Sequence, residues 1–237
     1  MKETCIPIVR RAVSAVLVFC CVVTLSACSL SDITKIFSDF DASAYTQAFL
    51  DAITKNEFTA YAEITNSTED EAKKEYESLL DSSVTSLLSS ITVSDETRQK
   101  IREMFHTIYS KWDCKVGEAT KNDDKSFTVP VTVKKLTVFK GVLKETINRF
   151  ENRSKESKSM ADSAYYDLYY QTFMELVNET LAKNEYGEET VVQVKVSPTA
   201  SNSNVYEIQA ESITALYNAT MDMDALQQDA NSITNMN

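Results

Sequence analysis

Apolar and polar residues alternate along the chain in two ways, in segments of period near 3.6 and in segments of period two. Ala44, Tyr45, Ala48, Phe49, Ala52 and Ile53 recur at helical spacing and form one apolar stripe, which Asn56 is placed to end. Phe58, Tyr61, Ala62 and Ile64 predict a short second helix. Thr68 and Glu71 then form a capping box ahead of a third, longer helix striped by Ala72, Tyr76, Leu79, Leu80, Val84, Leu87, Leu88 and Ile91. Ser94 is a side-chain cap, and Asp95 and Glu96 suit the positive dipole end of a fourth helix, whose apolar face runs through Ile101, Phe105, Ile108 and Trp112.

The period then changes to two. Cys114 and Val116 lead into a polar turn at Lys121 to Lys125, after which Phe127, Val129, Val131 and Val133 alternate with Thr128, Pro130 and Thr132, the pattern of a hairpin. Pro130 has no amide hydrogen, so it belongs at a sheet edge, at a bulge, or with that side unpaired. Phe139, Leu143, Ile147 and Phe150 return to helical spacing. A long helix follows the charged stretch ENRSKESKS and carries Tyr165, Tyr166, Leu168, Tyr169, Tyr170, Phe173, Leu176, Val177 and Leu181. A second hairpin pairs Val192, Val194 and Val196 with Tyr206, Ile208 and Ala210 across the polar loop SPTASNSN.

This order predicts an α+β fold: N-terminal helices, then two β-hairpins separated by a long aromatic-rich helix. The four strands form one antiparallel sheet covered on one side by helices, with their order left open. A turn or two of helix can follow at Ser212 to Tyr217, and the polar remainder, residues 218–237, is expected to be a disordered tail.

The N-terminus has its own pattern. Lys2, Arg10 and Arg11 precede AVSAVLVFCCVV, Ala12 to Val23, a stretch of about a dozen residues that is too short to span a bilayer core of about 30 Å. Leu25, Ser26, Ala27 and Cys28 follow, and an aliphatic residue, two small residues and cysteine match the lipobox. The segment resembles the precursors of bacterial lipoproteins. That resemblance implies a signal peptide over 1–27, diacylglyceryl transfer to the Cys28 thiol, acyl groups of the palmitate kind, and a chain held on the outer face of the cell membrane. Two acyl chains matter, because one alone binds a membrane only marginally. Residues 28–40 then form a short tether, and 41–217 a single domain.

The start of that domain, AYTQAFLDAITKNEFTAYAEIT, and its helix-to-hairpin alternation resemble lipoproteins of unassigned function from Clostridia and other Firmicutes. Such domains are similar to NTF2-like and cystatin-like folds. The resemblance implies helices wrapped on a curved sheet around a hydrophobic pocket, and it transfers no active-site residue.

Charge and residue chemistry narrow the function. The chain carries a net charge of −11, and without Lys2, Arg10, Arg11 and Glu3 it carries −13. So acidic a domain is repelled by phosphate backbones, which excludes nucleic acid as a partner. Cys5, Cys20 and Cys21 fall in the signal and Cys28 is the attachment point, so Cys114 is left without a disulfide partner and is expected to be a small buried side chain. His106 is the sole histidine, which excludes histidine-paired metal sites; a nucleophile pair with Cys114 is conceivable, but a helix end separates the two. Gly117, Gly141 and Gly187 are isolated and build no phosphate loop, and Asn122, Asp123 and Asp124 lack EF-hand spacing. Sequons at Asn66, Asn152, Asn178 and Asn218 are coincidental in a bacterial lipoprotein. No catalytic residue, metal ligand or cofactor motif is found.

What stands out is the cluster Tyr165, Tyr166, Tyr169, Tyr170 and Phe173, which covers two adjacent helix faces. It is either the edge of a core or the lining of a ligand pocket. The leading expectation is a non-catalytic tethered module that binds a small ligand or an envelope protein beside these rings. The competing readings are an envelope hydrolase with paired carboxylates and a structural or assembly factor with an exposed apolar patch.

Overall fold

The computed structural model describes residues 40–88, 91–155, 161–199 and 205–234. The signal segment, the lipobox Leu25 to Ala27 and Cys28 lie outside the described residues. The helices are α1 (Ala42–Lys55), α2 (Thr59–Thr65), α3 (Glu69–Leu88), α4 (Asp95–Tyr109), α5 (Val142–Lys155), α6 (Asp162–Leu181), α7 (Ala210–Thr220) and α8 (Met223–Thr234). The strands are β1 (Asp113–Val116), β2 (Thr120–Lys121), β3 (Phe127–Leu136), β4 (Tyr186–Pro198) and β5 (Tyr206–Ile208). The fold is α+β, a curled antiparallel sheet covered by helices.

Local chemistry sets the helix boundaries. Asp41 accepts the Ala44 amide at 2.9 Å to open α1, and Asn56, at a φ of 57° in the left-handed region, closes it. Thr68 and Glu71 form the reciprocal capping box: the Thr68 amide donates to Glu71 Oε2 at 2.8 Å and the Glu71 amide to Thr68 Oγ1 at 3.2 Å. Ser94 accepts the Thr97 amide, while its own amide and hydroxyl donate to Asp167 of α6, so a single residue caps α4 and ties it to its neighbour.

The strands order as β1-β3-β4-β5, with β2 also paired to β3. The two predicted hairpins therefore meet through β3 and β4, in a register that sets Val129, Val131 and Val133 opposite Val194, Val192 and Thr190. The three β3 valines and Val194 and Val196 are fully buried. They face α1 and α7, and this forms one core with Ala48, Leu50, Tyr61 and Leu216. A second core lies among α3, α4, α5, α6 and α8 and holds Leu80, Ile101, Phe105, Phe150 and Tyr169.

Pro130 sits in β3, inside the sheet. On the β1 side its carbonyl accepts the Gly117 amide at 2.8 Å. A strand residue's amide and carbonyl point the same way, so the missing amide hydrogen also faces that side. There β1 ends at Val116 and β2 resumes only at Thr120. The unpaired-side alternative is the one realised, at an interruption of the neighbouring strand.

The C-terminal expectation is corrected. Over 218–234 the chain is not a disordered tail: α7 runs to Thr220 and α8 buries Met223, Leu226 and Ala230. The reason is Asp222, a buried residue whose carboxylate accepts the amides of Val138, Phe139 and Lys140 at 2.9, 2.9 and 3.1 Å. Its own amide donates to the Leu136 carbonyl at 3.3 Å. The anchor is long-range, so local periodicity does not reveal it.

Gly117 lies so close to Pro130 that an added Cβ would meet the ring Cγ at 2.9 Å and the carbonyl oxygen at 3.1 Å. Gly117→Ala is therefore expected to cost about 1–3 kcal/mol of stability. An unchanged urea midpoint would show that the β1–β2 interruption gives way freely.

Candidate binding pocket

The aromatic residues of α6 turn inward and pack solid. Tyr169, Tyr170 and Phe173 are almost fully buried, Tyr166 is buried, and Tyr165 is half-buried at the core's edge. Phe150 meets Tyr169 edge-on at 5.6 Å and Tyr169 meets Tyr170 at 5.4 Å, the geometry that aromatic quadrupoles favour. The Tyr170 hydroxyl donates to the Leu87 carbonyl at 3.3 Å, and burial pushes both phenols well above their ordinary range. These rings pack in the helical core, and none of them lines the pocket described next.

An apolar pocket of about 120 Å³ opens instead between α1, α2, α3, α7 and β5, at the seam of the two cores. Its walls come from both. Ile53, Tyr76 and Tyr217 belong to the helical core, and Tyr45, Tyr61 and Ala72 to the sheet core. Its size is of the class of an apolar cavity of about 150 Å³ that takes up benzene.

The periodicity of α1 explains much of the lining. Tyr45, Phe49, Ala52 and Ile53 lie on its one predicted stripe, and α2, short and tightly turned at Asn66, brings Tyr61 beside them. The Tyr45 and Tyr61 rings stack at 6.1 Å with 16° between their planes, and Phe49 tilts against Tyr61 at 6.3 Å. Ala72 leaves the space that a longer side chain on α3 would fill. The sequence carries all these residues on core stripes and gives no sign that α1 and α3 diverge.

Polar groups are few and placed on the walls. Burial pushes the Tyr45 phenol up to about 12, against hydrogen bonds with Tyr61 and the Ile208 backbone, and the charges of Glu75 and Glu207 act in the same direction as burial. Both carboxylates therefore lie within electrostatic reach of one pocket hydroxyl. Glu75 is half-buried, and its carboxyl is held above the usual range by burial, then by Glu71. The Tyr76 hydroxyl is 2.7 Å from His106 Nδ1, and its phenol is pushed up to about 12 by burial. Tyr217 is buried among Tyr109 and Trp112, edge-on at 5.7 and 4.9 Å; its hydroxyl neighbours that of Tyr109 but has no partner in hydrogen-bonding geometry.

The other candidates are accounted for. The two ring nitrogens of His106 face Tyr76 and Asn56. Cys114 is half-buried and its thiol is pushed up to about 12 by burial, so it is held protonated. Asp124 spends its carboxylate on Ser126 and Lys195, which lowers it to about 2 and fixes the hairpin turn. Asp222 and Asp229 are neighbouring acids; Asp222 accepts the Val138, Phe139 and Lys140 amides ahead of α5, and Asp229 Oδ2 is buried without a hydrogen-bond partner among the described residues. No group of three or more metal-ligating side chains is found among the described residues. Nor is any described helix long and apolar enough to cross a membrane.

No family profile matches the chain, and no curated protein matches its sequence. A solved structure does resemble it. It is that of a provisionally assigned lipoprotein, YcdA of Bacillus subtilis, with a TM-score of 0.54 at 14% identity. The likeness covers 77% of this chain and 56% of that one, so the chain spans little more than half the neighbour's length. At that identity it shows a shared fold.

Because its hydroxyl is buried without a hydrogen-bond partner among the described residues, Tyr217→Phe is expected to leave stability unchanged or raise it by up to about 1 kcal/mol. A drop of the thermal midpoint by several degrees would show that this hydroxyl is bonded in solution.

Proposed function

We propose that the chain is a lipid-anchored, extracytoplasmic, non-catalytic binding module, attached through diacylglyceryl-Cys28 and using the pocket between α1, α2, α3, α7 and β5. The observation that carries the binding reading is the pocket itself: five aromatic rings, from Tyr45, Phe49, Tyr61, Tyr76 and Tyr217, around a space the chain leaves unfilled. A concave, mostly apolar site with a few polar groups is the usual form of a small-ligand site. The lipobox of Leu25, Ser26, Ala27 and Cys28 supports the anchor, and the fold shared with YcdA is in keeping with it.

The resemblance to Firmicutes lipoproteins with NTF2-like or cystatin-like domains supports the same reading, since those folds also leave a pocket between helices and a curved sheet. The occupant is a small ligand, or an apolar side chain of an envelope protein. The acidity of the domain suits a soluble module held at an anionic membrane without lying on it.

Two arms test this. Cells expressing the chain and fed labelled palmitate are expected to yield a membrane-bound labelled protein, and Cys28→Ser an unlabelled one. In the second arm toluene is titrated against the nanodisc-held chain, shifting NMR signals of Ile208 and Ile213 in the wild type but not in Ala72→Phe, which fills the space. Equal labelling of Cys28→Ser would refute the anchor, and absence of toluene shifts would refute the pocket.

A further inference from the structure

The pocket is apolar on its walls and anionic at two places, a combination more selective than a plain hydrophobic hole. Glu75 of α3 and Glu207 of β5 both line it, on elements far apart in sequence, and both act on the Tyr45 hydroxyl. Neither forms a salt bridge with any described residue, in contrast to acids such as Asp51 with Lys55 and Glu179 with Arg149. A carboxylate beside an apolar space is costly to desolvate, and burial holds the Glu75 carboxyl above the usual range. A cation beside it lowers that penalty.

The rings specify what kind of cation. Tyr45 and Tyr61 stack at 6.1 Å, and Phe49 is tilted at 52° to Tyr61, so aromatic rings border the space from more than one side. Aromatic walls attract cations that are weakly hydrated and carry their charge on an apolar body. A strongly hydrated metal ion gains little from aromatic faces, whereas an alkylated ammonium meets both the rings and the two carboxylates. A volume of about 120 Å³ suits a compact group rather than a long chain.

We propose that this pocket binds an organic cation of the alkylated ammonium type, with Glu75 and Glu207 as its counter-charges and Tyr45, Phe49, Tyr61 and Tyr76 as its cage. This deepens the binding-module reading and rests on it. It adds that the ligand, or the reacting side chain of a partner, brings a positive charge inside an apolar envelope.

Choline and neohexanol, which is choline with its nitrogen replaced by carbon, differ in charge and little in shape. Titrated calorimetrically against the full chain in phosphatidylglycerol nanodiscs, choline is expected to bind at least about tenfold more tightly than neohexanol. In Glu75→Gln/Glu207→Gln that preference should shrink, leaving only what the rings supply. Equal binding to the wild type would overturn the cation assignment and leave the apolar pocket standing. Binding of neither would overturn both. A choline preference undiminished in the double variant would overturn the role of these two carboxylates. Should that variant fail to fold, the wild-type comparison alone decides.

Discussion

A buried carboxylate on the C-terminal side of the chain holds the architecture together. Asp222 stands between α7 and α8, and its two oxygens accept three successive amides, those of Val138, Phe139 and Lys140, where β3 has ended and α5 is about to begin. Burial pushes this carboxyl above its ordinary range, and the three amide bonds act the other way. Bonds of this charge-assisted kind are among the stronger ones in proteins, and a buried carboxylate without them would be expensive. The result is a clasp that joins segments more than eighty residues apart.

The pocket depends on the clasp through α7. That helix lies on β3 and β4 and contributes Ile213 and Tyr217 to the pocket wall, while the turn that Asp222 fixes sets where it ends. The pocket exists because two cores meet there without merging. Phe49, Phe58 and Ile213 touch both, yet Ala72 and Ala52 leave room between them. A single continuous core would have filled that space. Aromatic rings and two acids that form no salt bridge with a described residue surround the remaining volume, and on them the proposed binding role rests.

The local parts of this design were legible in the sequence. The capping box at Thr68 and Glu71, the Ser94 cap, the Asn56 stop and the β1–β3 hairpin follow from nearest-neighbour chemistry and occur as expected, while the second hairpin is shorter than its pattern: β5 stops at Ile208 and Ala210 opens α7. The aromatic helix was legible as unusual but not as core, because periodicity cannot say whether a ring faces a cavity or another ring. Its Tyr169 and Tyr170 meet each other and Phe150. The pocket was hidden for a related reason: Tyr45, Ala52 and Tyr61 read as core stripe, and the gap between stripes is set by how α1, α2 and α3 splay. The order of residues 218–234 was hidden because its cause, Asp222, is polar in sequence and buried only in the fold.

The most direct measurement of the clasp is amide hydrogen exchange in the wild type and in Asp222→Ala. If Asp222 holds the structure as described, the amides of Val138, Phe139 and Lys140 lose protection together with those of α7 and α8, while the paired amides of β3 and β4 lose less. If α8 stays as protected in Asp222→Ala as in the wild type, the carboxylate is not what orders the C-terminal helices or sets the pocket's α7 wall.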